Sequence, residues 1–275
     1  MPTDSNHHRK VRSDVPFYSG LLGFTGLYLL LILSIVLANA SYITWPDIQA
    51  AIGSEAIQSS LKLTFLTCTI SAILSLIFAV PIAYSLSRFH FRGRTLLDTL
   101  LDIPIILPPL VVGLSLLILF NNFPSRELSI EKWLNAHGIA VTFHVPAIIL
   151  AQFTIAAAFA VRSMKNTFDQ ISPRAEQLAL TLGCSRSQAF WKVTLPQAHR
   201  GVIAAGVLAW ARALGEFGPI LVFAGATRGR TEVLATSVFL EINIGNLAGA
   251  ASVSLILITL AIATILIVRL AGDRR

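Results

Sequence analysis

The chain has 275 residues, of which 55% are hydrophobic and 13% are charged, and its mean hydropathy is +0.72. Soluble domains are about one quarter charged, so this composition excludes an ordinary globular protein and also a disordered one. A net charge of +7 would favour a nucleic-acid partner in a soluble chain, but here the apolar residues form long runs. The composition therefore predicts a protein that crosses the membrane several times.

Six apolar runs come close to, or exceed, the ~20 residues that a helix needs to cross the hydrocarbon core. The runs are 19–40, 61–86, 97–120, 145–161, 201–224 and 247–270. A signal peptide is an alternative for the first run, although this run is long and no small-x-small cleavage site leads from it into a soluble domain. We expect an all-α integral membrane protein with six transmembrane helices.

The basic residues lie mainly on one side of these runs. With a cytoplasmic N-terminus, the inner segments hold fifteen basic and five acidic residues, a net +10, and the outer segments hold five basic and six acidic residues, a net −1. Because cytoplasmic loops carry the excess of Lys and Arg, this distribution predicts an N-in, C-in topology. The topology then accounts for the positive charge, so membrane lipid is the expected partner and no nucleic-acid partner is implied.

The predicted spans divide the chain into four parts. We expect a basic cytoplasmic tail, a first span with its outer loop, a main transmembrane unit and a short cytoplasmic tail. Their bounds are 1–18, 19–57, 58–270 and 271–275. The longest polar stretch, 162–200, lies on the inner side within the main unit.

The third run contains three prolines, Pro104, Pro108 and Pro109. Proline lacks an N–H group and leaves main-chain carbonyls without helical partners, which is costly in contact with lipid. This segment is therefore expected to line the protein interior or a translocation path. Asp98 and Asp102 share a face at its cytoplasmic end, where solvation or snorkelling beside Arg94 is the simplest expectation.

The inner loop begins with a predicted short helix. Ser172 is a suitable N-cap, Pro173 suits the first helical position, and Gly183 suits the residue after the C-terminus. Its apolar residues recur at helical spacing: Ala175, Leu178, Ala179 and Leu182. Such a stripe on the aqueous side needs a cover, which is either the protein's own spans or a cytoplasmic partner.

A second short helix is predicted directly after the first. Ser185 and Gln188 have the spacing of a capping box, and the helix is expected to stop before Pro196. The inner loop is therefore expected to be a compact pair of helices rather than a flexible connection.

Two opposite charges lie four residues apart in the fifth run, Arg212 and Glu216. Charged groups at membrane depth are costly unless paired and indicate a functional site. Three alternatives stay open: an internal ion pair, an Arg212 that faces a pore and attracts an anion, and a pair at a subunit interface. Gly215, Gly218 and Pro219 loosen the helix beside them, which suits a gate or a packing kink.

The inner loop resembles a known sequence motif. Residues 176–183, followed by Val-Thr-Leu-Pro at 193–196, are similar to the EAA loop in the membrane subunits of bacterial ABC importers. Gly183, Leu195 and Pro196 fall at the expected spacing. Gln177 occupies the usual Glu position and Glu176 precedes it, so either side chain is a candidate for the expected polar contact.

Further segments resemble the permeases for molybdate, tungstate and sulfate, in the same order along the chain. These segments are 60–64, 81–84, 93–94, 104–113 and 212–218. In that family, two copies of the permease form a pore, two ATPase subunits bind the EAA loops, and a substrate-binding protein docks outside. The resemblance thus implies a second permease copy, a cytoplasmic ABC ATPase dimer and an extracytoplasmic oxyanion-binding protein as partners.

The resemblance also implies roles for particular residues. ATPase coupling would involve Glu176, Gln177, Ala179, Gly183, Leu195 and Pro196. The translocation path or gate would involve Pro104, Pro108, Pro109, Arg212, Gly215, Glu216 and Gly218. The outer loop 226–246 is either simply solvated or a docking site for the binding protein.

The leading hypothesis is the permease subunit of an ATP-driven importer for an oxyanion, molybdate or tungstate, with sulfate as the alternative. The chain has no G-x-x-x-x-G-K-[ST] sequence to hold ATP phosphates, so a separate subunit must hydrolyse ATP. An ion-driven secondary transporter would use Glu216 but leaves the inner loop without a purpose. A membrane-embedded hydrolase would need clustered catalytic groups, whereas the histidines are scattered. We expect no catalytic residue, metal or cofactor in this chain.

Overall fold

A computed structural model describes residues 15–272 of the chain and the side chains of residues 17–266. Regular secondary structure in this part is entirely helical: α1 Val15–Ser41, α2 Trp45–Gly53, α3 Glu55–Arg88, α4 Arg94–Ile106, α5 Pro109–Asn122, α6 Ile130–Ala136, α7 Val145–Gln170, α8 Arg174–Thr181, α9 Arg186–Ala189, α10 Leu195–Gln197, α11 His199–Leu214, α12 Gly218–Phe223, α13 Leu234–Asn243 and α14 Leu247–Gly272. The all-α fold is confirmed. Of the predicted tails, 1–14 and 273–275 lie outside the described residues.

Four of the described helices are long and apolar enough to cross a membrane, namely α1, α3, α7 and α14. The third predicted span is instead a bent pair, because α4 and α5 meet at an angle of 109°. Leu107 and Pro108 between them are extended, and Pro109 begins the next helix. The fifth predicted span is also broken, since α11 and α12 are separate helices. The described residues thus contain four continuous spans, or five with the bent pair, and six continuous transmembrane helices are not confirmed.

The core forms where α3, α7 and α11 pack together. Small side chains without any exposed surface lie along this contact: Ala79, Ala83, Ala156, Ala160, Ala205, Ala209 and Ala213. Alanine at these positions lets the helices approach closely, which in a membrane replaces much of the hydrophobic driving force. The three helices thus form the rigid frame that carries the remaining elements.

The inner loop folds into α8, α9 and a turn of π-helix, Phe190–Thr194, that leads into α10. Gly183 follows α8 with φ +90°, the left-handed conformation that glycine adopts without strain. The predicted capping box between Ser185 and Gln188 is confirmed. The second helix was predicted to stop before Pro196, but the helical path continues through Pro196. The wider π turn, in which the amide of Leu195 bonds to the Phe190 carbonyl, carries the chain into Pro196.

Candidate functional site

The carboxylate of Glu176 in α8 is bound by the main body of the protein. Its Oε1 atom accepts a hydrogen bond from the Tyr84 hydroxyl at 2.5 Å, and Oε2 accepts one from the Thr194 hydroxyl at 3.0 Å. The Arg88 Nε atom lies 3.4 Å from Oε2. Charge-assisted contacts of this kind are stronger than neutral ones. Glu176, and not Gln177, therefore makes the polar contact between this helix and the long helix α3.

The apolar stripe predicted on α8 divides into two faces. Ala179 is 8% exposed and packs against the protein itself, whereas Leu178 and Leu182 are 63% and 84% exposed. Gln177 makes no side-chain hydrogen bond or ion pair within the described part of the chain. Within the stripe, Ala179 is thus covered by the protein itself, Ala175 is half-buried, and Leu178 and Leu182 remain exposed.

Leu195 and Pro196, at the other end of the inner loop, lie directly after the π turn. Leu195 is half-buried and Pro196 is exposed. Thr194, immediately before them, is buried and connects this turn to Glu176. The two ends of the motif are therefore joined through one carboxylate, which makes α8 and the π turn a single unit.

Arg212 and Glu216 form an ion pair with 2.5 Å between Nη1 and Oε1. Glu216 is 2% exposed, and the Arg212 side chain is 30% exposed and lies 5.3 Å from the centre of the Phe159 ring. The pair bridges the end of α11, because the helix stops at Leu214 and Glu216 follows it. This is the geometry of the internal ion pair among the three alternatives. It neutralises a carboxylate that would be costly at this depth.

The bent pair α4–α5 touches the broken fifth span backbone to backbone. A Cβ atom added at Gly113 would lie 2.7 Å from the Cα atom of Pro219, and one added at Gly218 would lie 3.2 Å from the Cβ atom of Pro109. The close approach requires glycine at Gly113, whereas at Gly218 an added Cβ atom would be tight and would need a small shift of its neighbours. Gly215 is different, because an added Cβ atom there would meet nothing closer than 3.9 Å. We call the contact of Gly113 with Pro219 and of Gly218 with Pro109 the Gly–Pro junction.

Asp98 and Asp102 on α4 pair with α7, not with Arg94. The Arg162 Nε atom donates to Asp102 Oδ1 at 3.0 Å, and a second guanidinium nitrogen contacts Oδ2. Lys165 lies 3.7 Å from Asp98. The expected partner Arg94 was therefore wrong, while both aspartates remain partly exposed to solvent. α7 supplies two cations at the depth where α4 begins, and sequence spacing within α4 does not show this.

The loop before α13 is stabilised by charged groups. Arg228 binds Glu241 at 2.7 Å, and the Asn246 amide binds the other oxygen of Glu241 at 2.6 Å. Glu232 is buried and accepts a hydrogen bond from the Ser237 hydroxyl. Burial raises the pKa of Glu232 above its ordinary value, although the Ser237 bond and Arg228 act in the opposite direction. The loop is thus a defined structure rather than only a solvated connection.

Several residues of this site were not singled out from the sequence. Tyr84, Arg88 and Thr194 hold Glu176, and Gly113 contacts Pro219, which was itself expected to loosen the fifth span. Tyr84 lies inside an apolar run, where a polar aromatic group needs a partner, so it carried a detectable signal. Arg88 and Thr194 carried no such signal, because arginine is common at the ends of spans and threonine is common in loops. Within the described residues, no group of three or more His, Cys, Asp or Glu side chains could hold a metal ion.

Comparison with known proteins gives matches over most of the chain. Residues 71–274 match the family described as "Binding-protein-dependent transport system inner membrane component". The chain is 34% identical over 221 residues to the sulfate transport system permease protein CysT of Escherichia coli (strain K12), which covers 80% of this chain and 78% of that protein. It is 34% identical over 231 residues to the molybdenum transport system permease protein ModB of Mycobacterium bovis (strain ATCC BAA-935 / AF2122/97), which covers 84% of this chain and 86% of the relative.

The fold is also similar to solved structures. The crystal structure of a bacterial alginate ABC transporter, in complex with an alginate pentasaccharide-bound periplasmic protein, contains a chain that superposes with a TM-score of 0.73. The two chains are 19% identical, and the match covers 95% of each. At this identity the likeness concerns the fold alone.

Proposed function

The chain belongs to the family of binding-protein-dependent transport system inner membrane components, the membrane permeases of ABC importers. From this premise we propose that it moves an oxyanion, molybdate or tungstate, across the cytoplasmic membrane. It is a transport subunit and not an enzyme, and a partner ATPase supplies the energy. The similarity to a molybdenum permease over 84% of the chain supports the proposed substrate class.

The helix α8 is proposed to couple this permease to its ATPase. The observation that carries the proposal is the contrast between its two faces: Glu176 is bound by Tyr84, Arg88 and Thr194, while Leu178 and Leu182 are exposed. A helix attached in this way transmits a displacement as a rigid body, whereas a flexible loop would absorb it. The coupling unit consists of Glu176, Gln177, Gly183, Leu195 and Pro196, and Ala179 supports it from inside.

The Gly–Pro junction and the prolines near it are proposed to line the translocation path or its gate. The residues are Pro104, Pro108, Pro109, Gly215 and Gly218, with Arg212 and Glu216 beside them. Irregular backbone at membrane depth is tolerated where it lies inside the protein or lines a water-filled cavity. Because a pore must release its ion as readily as it accepts it, the paired Arg212 is assigned a structural role.

The proposed topology has six spans with both termini in the cytoplasm. The bent pair α4–α5 forms the third span, and α11 with α12 forms the fifth. The excess of Lys and Arg in the inner segments supports this orientation. We further propose that two copies of the chain form the pore, and that the binding protein docks on the outer loop 226–246.

Sulfate is a second candidate substrate. The sulfate permease relative is as similar to this chain, at 34% identity, as the molybdenum permease relative. The two dianions are distinguished by uptake into vesicles that contain the permease, its ATPase and its binding protein. Molybdate uptake that excess sulfate does not inhibit supports the proposal. Sulfate uptake without molybdate uptake replaces it with the second candidate.

A single substitution on α8 tests the coupling role without disturbing the fold. Leu182→Asp places a charge on an exposed surface, so the permease should fold while its ATPase no longer co-purifies with it. The matched control is Leu128→Asp, at a leucine that is 75% exposed in the proposed outer loop between α5 and α6. Retention of the ATPase by the Leu182→Asp permease would contradict the coupling role.

A further inference from the structure

A recess lies beside α8, on the side away from its exposed leucines. Its volume is about 350 Å³. One wall is the end of α3 and His90, which follows it, and the other is α8 and Arg186, the first residue of α9. Gln177 and Leu180 line it from α8. At about 100° per residue, Leu180 lies about 160° from both Leu178 and Leu182, and Gln177 lies about 100° from Leu178 and about 140° from Leu182. A partner that covers the two exposed leucines therefore leaves open the side of the recess that Leu180 lines.

The recess carries positive charge that the protein does not neutralise. Arg88 and Glu176 compensate each other within its wall. Arg186 has no carboxylate partner in the described part of the chain, and its guanidinium carbon lies 5.9 Å from the centre of the Phe89 ring. His90 also has no acidic partner among the described side chains. A ligand between Arg186 and His90 would therefore be anionic.

The surroundings of the recess indicate where that anion comes from. The span α3 ends at Arg88, and the next residues carry two exposed aromatic rings, Phe89 and Phe91. Arg92 and Arg94 follow, and neither forms an ion pair with a described residue. Aromatic rings beside unpaired basic residues at the end of a span are typical of the membrane–water interface, and the cytoplasmic leaflet carries anionic lipids.

We propose that this recess binds the phosphate group of an anionic phospholipid of the inner leaflet, between Arg186 and His90. Phe89 and Phe91 would rest at the level of the lipid headgroups. The location in the inner leaflet depends on the orientation given under the proposed function. Because α8 forms one wall, a bound lipid would stabilise the position of the helix that faces the ATPase, and anionic lipid would thus regulate coupling.

The proposal is tested by direct lipid binding to the full-length permease in neutral detergent. Short-chain phosphatidylglycerol, short-chain phosphatidylcholine and inorganic phosphate are titrated separately, and heat is measured by calorimetry. Phosphatidylglycerol should bind most tightly. Arg186→Gln and His90→Gln should each weaken its binding, by about fivefold for the arginine, as expected from one basic group near an anionic lipid. Arg230→Gln, at an exposed arginine of the outer loop, is the matched control and should leave binding unchanged.

Three results would overturn the proposal: equal binding of the two lipids, unchanged phosphatidylglycerol binding in both recess variants, or inorganic phosphate binding as tightly as phosphatidylglycerol. The last result would assign the recess to a soluble anion. Lipid binding does not require transport, so the lipid-binding proposal and the transport proposal can each be refuted without refuting the other. Binding of phosphatidylglycerol through Arg186 in a permease that moves no oxyanion would contradict the transport function alone.

Discussion

The side-chain amide of Gln152 donates a hydrogen bond to the main-chain carbonyl of Ala213, at a distance of 3.3 Å. Ala213 lies in the last turn of α11, and because its carbonyl also accepts a 3.2 Å bond from the Glu216 amide, Gln152 is a second donor to it where the helix breaks. Gln152 is buried in α7, and its side-chain oxygen also contacts the Ser71 hydroxyl of α3. One amide therefore joins the three core helices at the break in the fifth span.

Replacement of this amide should loosen the break. Gln152→Leu fills a similar volume but removes the donor to Ala213 and one of the two acceptors of the Ser71 hydroxyl, which also bonds to the Ile149 carbonyl. We expect a loss of about 0.5–1.5 kcal/mol for each hydrogen bond removed, because Ala213 and Ser71 each keep another partner. Thermal unfolding of the detergent-solubilised permease measures this loss. The exposed Gln197, changed to leucine, is the control, and equal midpoints for the two variants would argue against the role of Gln152.

The Gly–Pro junction should not tolerate even one methyl group. Gly113→Ala brings a Cβ atom to 2.7 Å from the Cα atom of Pro219, where only movement of the backbone relieves the contact. Overpacking of this kind costs about 1–3 kcal/mol, and here it should also reduce uptake by separating α5 from α12. Gly26→Ala is the control, because nothing lies within 4 Å of its added Cβ atom. Wild-type stability and uptake for Gly113→Ala would show that the junction is looser than described.

Local features of the fold followed from the sequence where local chemistry determines them. Gly183 has the left-handed conformation expected after a helix, and Ser185 with Gln188 forms the expected capping box. The prolines at the third span do interrupt it. The bend of 109° places Pro109 against Gly218, in another part of the chain, and local sequence patterns do not predict such a contact.

The site was predictable as a set of residues but not as a set of contacts. The sequence left open whether Glu176 or Gln177 makes the polar contact, because a short helix can rotate by one residue without a change in its pattern. The choice is made by Tyr84, which lies 92 residues before Glu176. Asp98 and Asp102 were misassigned for a similar reason, since their partner Arg162 lies on a different helix.

Removal of one hydroxyl group should weaken the attachment of α8. Tyr84→Phe keeps the ring contacts but loses the donor to Glu176, while Arg88 and Thr194 remain. A hydrogen bond to a charged group contributes roughly 1.5–3 kcal/mol, so α8 should stay folded but move more freely. Substrate uptake per ATP hydrolysed should therefore fall in reconstituted vesicles. Tyr28→Phe, at an exposed tyrosine of α1, is the control, and an unchanged ratio in Tyr84→Phe would contradict the coupling unit.

The ion pair of Arg212 and Glu216 is tested by removing its charges singly and together. Arg212→Gln leaves a buried carboxylate without its cation, which costs about 3–5 kcal/mol for a buried pair. The double variant Arg212→Gln, Glu216→Gln should recover most of this loss in thermal unfolding, and with it uptake. Recovered stability without recovered uptake would contradict the structural role and would assign Arg212 to the path of the anion.

The buried carboxyl group of Glu232 should make stability depend on pH. Because burial raises its pKa in the folded protein, the protonated form is favoured there. Its contribution to stability is complete below the pKa of the unfolded chain and is lost as the pH rises through the higher pKa of the folded protein. Glu232→Gln should therefore raise the unfolding midpoint at about pH 8, and this gain should shrink towards about pH 4, near the ordinary pKa of Glu. Glu127→Gln, at an exposed glutamate, is the control. If the difference in unfolding midpoint between Glu232→Gln and wild type stays constant across this pH range, burial does not raise the pKa of Glu232.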